Sequence, residues 1–401
     1  MADRARHLCV FIYGLTGGGA QRRTLTLARA FAERGHRVDL VVVRPGGHLA
    51  RDVPDSVRLV SLASAAGGGP RVLRPLTRRL HMRGLETASS IGALARYLRR
   101  ERPDAMLSAA SHVNLVSVWA RRLSRVPVRL VLRASNDPLG NPALWPHWER
   151  MVRSWLRWMA GRVYPWADAV IAVSDGVAEH IASLTGLPRE RITTIYNPVV
   201  TAELLARSRE PLDHPWLAPG EPPLILGVGK LKIQKGFRTL IRAFARVRAA
   251  RPARLVILGE GARRGTLEAL VDELGLRADA ALPGYVDNPW AWMARASVFA
   301  LSSWWEGLPG ALIEAMACGC PVVSTDCPSG PAEILEGGVH GPLVPPGDAG
   351  ALAEAILKLL DAPPNPVWLR ARAAGFSVEP AVDRYLEVLL GGAKRDRCDF
   401  A

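Results

Sequence analysis

The sequence predicts an α/β protein built from two Rossmann-like domains facing across a cleft. Three observations carry that expectation. β-rich runs alternate with helical periods. The rhythm stops over a Pro- and charge-rich stretch at 197–223 and then restarts. A length of 401 residues also suits two domains of the ~100–200 residues usual for one.

In chain order, the first domain has strand-like runs at Leu8–Tyr13, Val38–Val43, Val57–Leu62, Asp104–Leu107, Val128–Leu132, Ala169–Val173 and Ile192–Ile195. Short continuous Val/Ile/Leu runs suit a parallel sheet buried on both faces. Helical patterns separate most of them, as at Ala20–Arg34, where Leu27 and Phe31 share a face at i, i+4. The second domain has runs at Leu224–Val228, Arg254–Leu258, Ala280–Leu282, Val298–Leu301 and Val322–Ser324, each followed by a helix. A last helical stretch, Val378–Leu390, precedes a polar tail. The expected division is 1–198, 199–376 and 377–401, the last packing back toward the first domain.

Composition narrows the function. A hydrophobic content of 49% excludes a disordered chain, and the 37 glycines have no collagen period. The five cysteines (9, 318, 320, 327 and 398) form no CxxC and read as reduced thiols of a cytoplasmic protein. Cys318-x-Cys320 lacks a partnering His/Cys cluster, so no metal site or cofactor is expected. The first residues imitate a secretory leader, but the apolar run is only Leu8–Tyr13. No run approaches the ~18 apolar residues of a membrane span. The expectation is a soluble protein or one resting on the inner face of the cell membrane.

The charge is lopsided. Residues 1–200 hold 30 Arg and no Lys against 14 Asp and Glu, a net +16, while the whole chain is +15. Such a field favours an anionic partner: lipid headgroups, an anionic acceptor or nucleic acid. No zinc-finger, basic-zipper or RNA-recognition signature accompanies it, which argues against nucleic acid. Five of the 12 tryptophans (145, 148, 155, 158 and 166) crowd together with Arg150, Arg153, Arg157 and Arg162. Trp148, Val152, Trp155 and Met159 fall on one helical stripe, suited either to anionic lipid or to docking on the protein itself.

The chemistry concentrates at strand-to-helix turns. Gly17-Gly18-Gly19 follows the first strand, where glycines admit a ligand close to the backbone and a helix N-terminus favours an anion. It is neither GxGxxG nor a Walker A loop. Gly229-Lys-Leu-Lys-Ile-Gln-Lys-Gly236 follows the first strand of the second domain and has the makings of a phosphate loop. Only five lysines occur in the chain, and Lys230, Lys232 and Lys235 are three of them. Ser302-Ser-Trp-Trp-Glu306-Gly-Leu-Pro309 leads into a helix, with Glu314 eight residues beyond Glu306. Two carboxylates beside a helix N-terminus suit a ligand bearing both phosphate and hydroxyl groups.

These residues carry a resemblance. GYVDNPWAWMARASVFALSSWWEGLPGALIEAMACGCPVVSTDCPSGPAEIL (284–335) closely resembles the signature of family-4 retaining glycosyltransferases with the GT-B fold. Similar matches occur at 229–245, 255–270, 17–22, 172–178 and 196–198, spanning nearly the whole chain and most specific in the second domain. The resemblance implies that Lys230 and Lys235 hold the nucleotide diphosphate and neutralise it as it leaves. It implies Glu306 near the transferred sugar, Glu314 on the ribose hydroxyls, Gly17–Gly19 close to the diphosphate and sugar, and the backbone of Gly284, Tyr285 and Val286 beside the nucleobase. Gly307, Leu308 and Pro309 complete the donor site. The donor would be a nucleotide-sugar, with UDP favoured, and the product a glycan, suggesting a lipid-linked acceptor in surface polysaccharide synthesis. Transfer would retain configuration and need no metal, and no D-x-D occurs in the sequence.

Two departures stand out. Many relatives carry Arg where Lys230 stands, and many have a His after the fifth strand, where this chain has Arg133-Ala-Ser-Asn136. His112 is the alternative acceptor-side group, either catalytic or structural, and Asn114, Arg133 and Asn136 join it as acceptor-side candidates. Two alternatives stay open: a sugar-nucleotide epimerase of the same fold, or a non-catalytic membrane- or nucleic-acid-binding protein. Paired glutamates and lysines favour the transferase.

Overall fold

The computed structural model describes residues 5–62, 90–135, 154 and 158–391. Two parallel sheets organise it. The first holds β1 (His7–Gly14), β2 (Arg37–Arg44), β3 (Val57–Ser61), β4 (Ala105–Ala109), β5 (Arg129–Ala134), β6 (Ala169–Ala172) and β7 (Ile192–Thr194), in the order β3-β2-β1-β4-β5-β6-β7. The second holds β8 (Leu224–Val228), β9 (Arg254–Leu258), β10 (Ala280–Gly284), β11 (Val298–Leu301), β12 (Val322–Thr325) and β13 (Leu343–Val344), in the order β10-β9-β8-β11-β12-β13.

The register follows from burial on both faces. Val10 pairs with Leu40 and Leu107, and Leu226 with Val256 and Phe299, all buried. Order reverses at β1 in the first sheet and at β8 in the second. Ligands of open parallel sheets bind outside the carboxyl ends of the strands at such reversals. The Gly17–Gly19 and Lys230–Lys235 loops leave the sheets at these two points.

Helices cover the remaining faces. Leu27 and Phe31 of the Gly19–Glu33 helix join Val382 and Tyr385 of the Val378–Leu390 helix over one face of the first sheet. Phe244 and Ile356, from the Phe237–Ala250 and Ala349–Asp361 helices, cover the outer face of the second. A third apolar cluster runs between the sheets through Val173, Val177, Leu308 and Leu312. The two chain segments that cross between the sheets lie side by side, with Val199 and Val200 N–H donating to the Phe376 carbonyl at 2.9 and 3.1 Å.

Two details differ from the sequence expectation. Residues 202–207 of the linker form a short helix, because the Thr201 hydroxyl accepts the Leu204 N–H at 3.1 Å and caps it. The two-residue β13 was too short for periodicity to reveal, and it is held at the sheet edge by the Ser324–Leu343 and Thr325–Val344 pairs.

Candidate active site

The carboxyl edges of the two sheets face each other, so loops from both meet. The Lys230–Lys235 loop is locked by Gly236, whose φ of 60° lies in the left-handed region. A Cβ there would lie 1.9 Å from the Ser302 carbonyl oxygen, so only glycine permits the approach. Three hydrogen bonds zip this loop to the one after β11. Ser302 Oγ donates to the Lys235 carbonyl (2.8 Å), Trp304 N–H to the Gln234 carbonyl (2.8 Å) and Gln234 Nε2 to the Trp305 carbonyl (3.0 Å).

The zipper brings Lys235 to Glu306. Lys235 Nζ and Ser303 Oγ both donate to Glu306 Oε1 at 2.6 Å, leaving Oε2 with no hydrogen-bond partner among the described residues. Glu306 is only 6% exposed. Lys230 is brought to the glycine loop of the other sheet, since a Cβ on Gly18 would lie 3.3 Å from its Nζ. Both lysines and Gly17–Gly19 therefore border one cleft.

The Gly310–Cys318 helix starts without a side-chain cap after Pro309; the Leu312 N–H donates to the Pro309 carbonyl at 3.1 Å, which leaves the Gly310 and Ala311 N–H groups to meet an anion. Glu314 lies one turn further on, 8% exposed. Arg23, from the first sheet's Gly19–Glu33 helix, donates to its Oε1. The loop between is tied across the cleft too, with Ser174 Oγ donating to the Gly307 carbonyl at 2.7 Å. Glu333 accepts the Asp175 and Gly176 N–H groups at 2.7 and 2.9 Å. Leu308 and Pro309 are buried behind this contact.

At the far end, Gly284 (φ 98°) turns the chain so that Tyr285 is 56% exposed. Its ring lies nearly parallel to that of His48 from the other domain, 16° and 5.8 Å between centroids. Val286 is half-buried against the core.

Buried thiols flank both carboxylates. Burial pushes the Cys327 thiol up to about 12, Glu306 adding to the shift and Lys235 opposing it. Burial and then Glu314 push Cys318 up to about 12 as well. Neither thiol is a nucleophile at neutral pH. Cys318 and Cys320 contact separate carbonyls, those of Trp290 and Ala296.

Of the four acceptor-side candidates, Arg133 and Asn114 prove buried. Arg133 is fully buried, not on the cleft surface. Its guanidinium donates to Tyr385 Oη (2.9 Å), Thr24 Oγ1 (3.2 Å) and Asn197 Oδ1 (2.5 Å), pinning the last helix to the first sheet. Asn114 is equally buried, and its Nδ2 donates to the Arg133 carbonyl and Tyr164 Oη. His112 lies in the first turn of the Ser111–Ser124 helix, which leaves β4 through Ala110 at a strained φ of 143°. The His112 side chain and all of Asn136 lie outside the described residues, as do Trp145, Trp148, Val152 and Trp155. Trp158 is exposed under Arg162, whose guanidinium carbon is 3.8 Å from the ring centroid, while Met159 packs inward.

Sequence reasoning missed Arg23, Ser174, Ser303, Glu333 and His48. Ser174, Ser303 and Glu333 lie within the runs that carry the resemblance, and Arg23 left a signal of its own, occupying the apolar stripe of its helix at i, i+4, i+8 with Leu27 and Phe31.

Two facing Rossmann-like sheets, with a cationic loop and an open helix N-terminus at the cleft, define an enzyme of the GT-B class. Residues 222–362 match the family described as Glycosyl transferases group 1, and residues 17–203 match Glycosyltransferase Family 4. The chain belongs to the group 1 glycosyltransferases. It is 29% identical to the lipopolysaccharide core biosynthesis glycosyltransferase LpsE of Rhizobium meliloti, over 93% of this chain and 96% of the relative. It is 26% identical to the Campylobacter jejuni N-acetylgalactosamine-N,N'-diacetylbacillosaminyl-diphospho-undecaprenol 4-alpha-N-acetylgalactosaminyltransferase, over 88% and 90% of the two chains. The fold matches Anabaena HepE in complex with UDP and glucose (TM-score 0.74, 20% identity, 96% of this chain and 100% of that one).

Proposed function

We propose that the enzyme moves a hexose or N-acetylhexosamine from a UDP-sugar to a lipid-linked glycan in surface polysaccharide synthesis, with retention and without a metal. The observation that carries this reading is the convergence of Lys230, Lys235 and the Gly310–Cys318 helix N-terminus on one cleft. The relatives named above, one acting in lipopolysaccharide core biosynthesis and one on an undecaprenol-linked glycan, support the acceptor class. The complex of HepE with UDP and glucose supports the donor.

In this reading residues 1–198 face the acceptor, residues 199–376 hold the nucleotide-sugar, and residues 377–401 return to the first domain. Lys230, Lys235, Gly17–Gly19 and the N–H groups after Gly307–Pro309 surround the diphosphate. The bond from the sugar C1 to the phosphate oxygen breaks through an oxocarbenium-like state, so the largest aid is stabilising the negative charge that builds up on the departing diphosphate. The acceptor oxygen bonds to C1 on the same face and passes its proton to the leaving phosphate. Glu306 lies beside the transferred sugar, Glu314 on the ribose, and Gly284–Val286 beside the base. His112 and Asn136 are the remaining acceptor-side groups.

Among the described residues no helix is long and apolar enough to cross a membrane. A peripheral contact is part of the proposal, supported by an exposed aromatic and cationic patch. Trp119 and Trp166 meet edge to face at 5.4 Å, with the Arg122 guanidinium carbon 4.1 Å from the Trp166 ring centroid. The test is a screen of sugar nucleotides for nucleotide release with and without lipid extract. Acceptor-dependent release is expected; free UDP with an epimerised sugar and no acceptor would point to an epimerase instead.

A further inference from the structure

Arg23 is a buried cation in an unfavourable place. It is 4% exposed on the apolar stripe of the Gly19–Glu33 helix. Its Nη1 donates to the Val199 carbonyl at 3.2 Å and its Nη2 to Glu314, while Nε finds no hydrogen-bond partner. A Cβ on Gly310 would lie 3.2 Å from Nη2, so the guanidinium rests against the N-terminus of the Gly310–Cys318 helix. The helix dipole disfavours a cation there. Burial also works against the charge and lowers its pKa, with the Glu314 carboxylate opposing.

Stability alone does not account for the arrangement. A buried ion pair is often matched or bettered by apolar residues of similar volume, so such a pair is weak evidence for a stabilising role. What the arrangement does supply is position. Arg23 reaches Glu314 from the other sheet, across 291 residues of sequence. It occupies Oε1 and leaves Oε2 without a partner among the described residues. Val199, its second anchor, belongs to the paired segments that cross between the domains.

We infer that Arg23 is a positioning residue: it fixes the Glu314 carboxylate for recognition of the nucleotide's ribose and makes that recognition depend on apposition of the two domains. The inference rests on the assignment of Glu314 to the ribose. Separating the domains takes the guanidinium away, and Glu314 then loses the group that orients it. A ribose diol is thus bound well only when the cleft is closed.

The experiment is calorimetric titration of the full chain with whichever of UDP and GDP it binds more tightly, and with the 2′-deoxy analogue of the same nucleotide. The parent is expected to prefer the ribonucleotide about tenfold or more, the scale of a hydrogen bond to a charged group. Glu314→Gln and Arg23→Met should each bring the preference near unity. Their combination should lose nothing beyond Glu314→Gln alone, because the arginine acts through the glutamate. Arg23→Lys keeps charge but not the fork and should fall between. A parent-like preference in Arg23→Met overturns the inference while leaving the ribose assignment standing. A parent-like preference in Glu314→Gln overturns both, as does a parent that binds neither nucleotide. Where Arg23→Met does not fold, Arg23→Lys decides, and a parent-like preference there overturns the inference.

Discussion

Lys235 Nζ and Glu306 Oε1 lie 2.6 Å apart, although 71 residues separate them in sequence. The contact joins the two loops that leave β8 and β11, and Gly236 makes it possible by lying flush against Ser302. Without a donor the lysine neutralises the carboxylate. In the proposed reading an arriving diphosphate would compete for the same ammonium, and donor binding would free Glu306 to face the sugar.

Glu306 and Glu314 should therefore fail differently when each is made Gln. Glu314→Gln keeps an acceptor but loses charge assistance, weakening donor binding by about 1–3 kcal/mol. Glu306→Gln should lower kcat more than it raises the donor KM, since its contact strengthens as charge develops at C1. Steady-state kinetics, with the free nucleotide as competitive inhibitor, separates the two. Unchanged nucleotide inhibition in Glu314→Gln, or normal turnover in Glu306→Gln, contradicts the assignment.

Acid stability should depend on Asp39, which is fully buried in β2. Burial resists its charge, but hydrogen bonds from His7 Nε2 (2.9 Å), Arg58 Nε (2.8 Å) and Tyr97 Oη (2.6 Å) outweigh that and hold the carboxyl well below the usual range. A depressed folded pKa adds stability above the unfolded value, about 3.9, and that stability is lost as pH falls toward the folded one. Urea midpoints should drop between about pH 5 and pH 3 in the parent. Asp39→Asn should be less stable at neutral pH and show a shallower drop. An identical slope in both proteins would rule out Asp39 as the source.

Much of this was legible in the chain and some was not, for physical reasons. The β8, β9 and β11 spans are readable to the residue because central parallel strands, buried on both faces, are plain apolar runs. The cleft lysines and glutamates are readable because scarce residue types stand at strand-to-helix turns. Arg133 misleads: a polar residue at a strand end reads as surface until Tyr385, 252 residues later, closes over it. Contacts between the domains, such as Arg23 with Glu314, leave only half a trace in local sequence. An arginine on an apolar stripe announces a partner without naming it.

The Arg-rich first domain should bring the protein to anionic membranes. Sedimentation with anionic vesicles is expected to exceed that with neutral ones and to fall as salt rises, since exposed charges are screened over about 8–10 Å at physiological ionic strength. Replacing Trp119 and Trp166 together by Ser should reduce binding at every salt concentration. Equal sedimentation with neutral and anionic vesicles would remove the membrane from the account.

The central claim is that Lys235 stabilises a diphosphate leaving group in transfer to an acceptor. The direct measurement is nucleotide release from a UDP-sugar with lipid-extracted acceptor, for the parent and Lys235→Ala, each with and without chelator. The parent should release one nucleotide per sugar transferred, with chelator making little difference. Lys235→Ala should be slower by about 10²–10³-fold, the scale of losing one stabiliser of transition-state charge. Parent-like turnover in Lys235→Ala, or activity that chelator abolishes and magnesium or manganese restores, would contradict it.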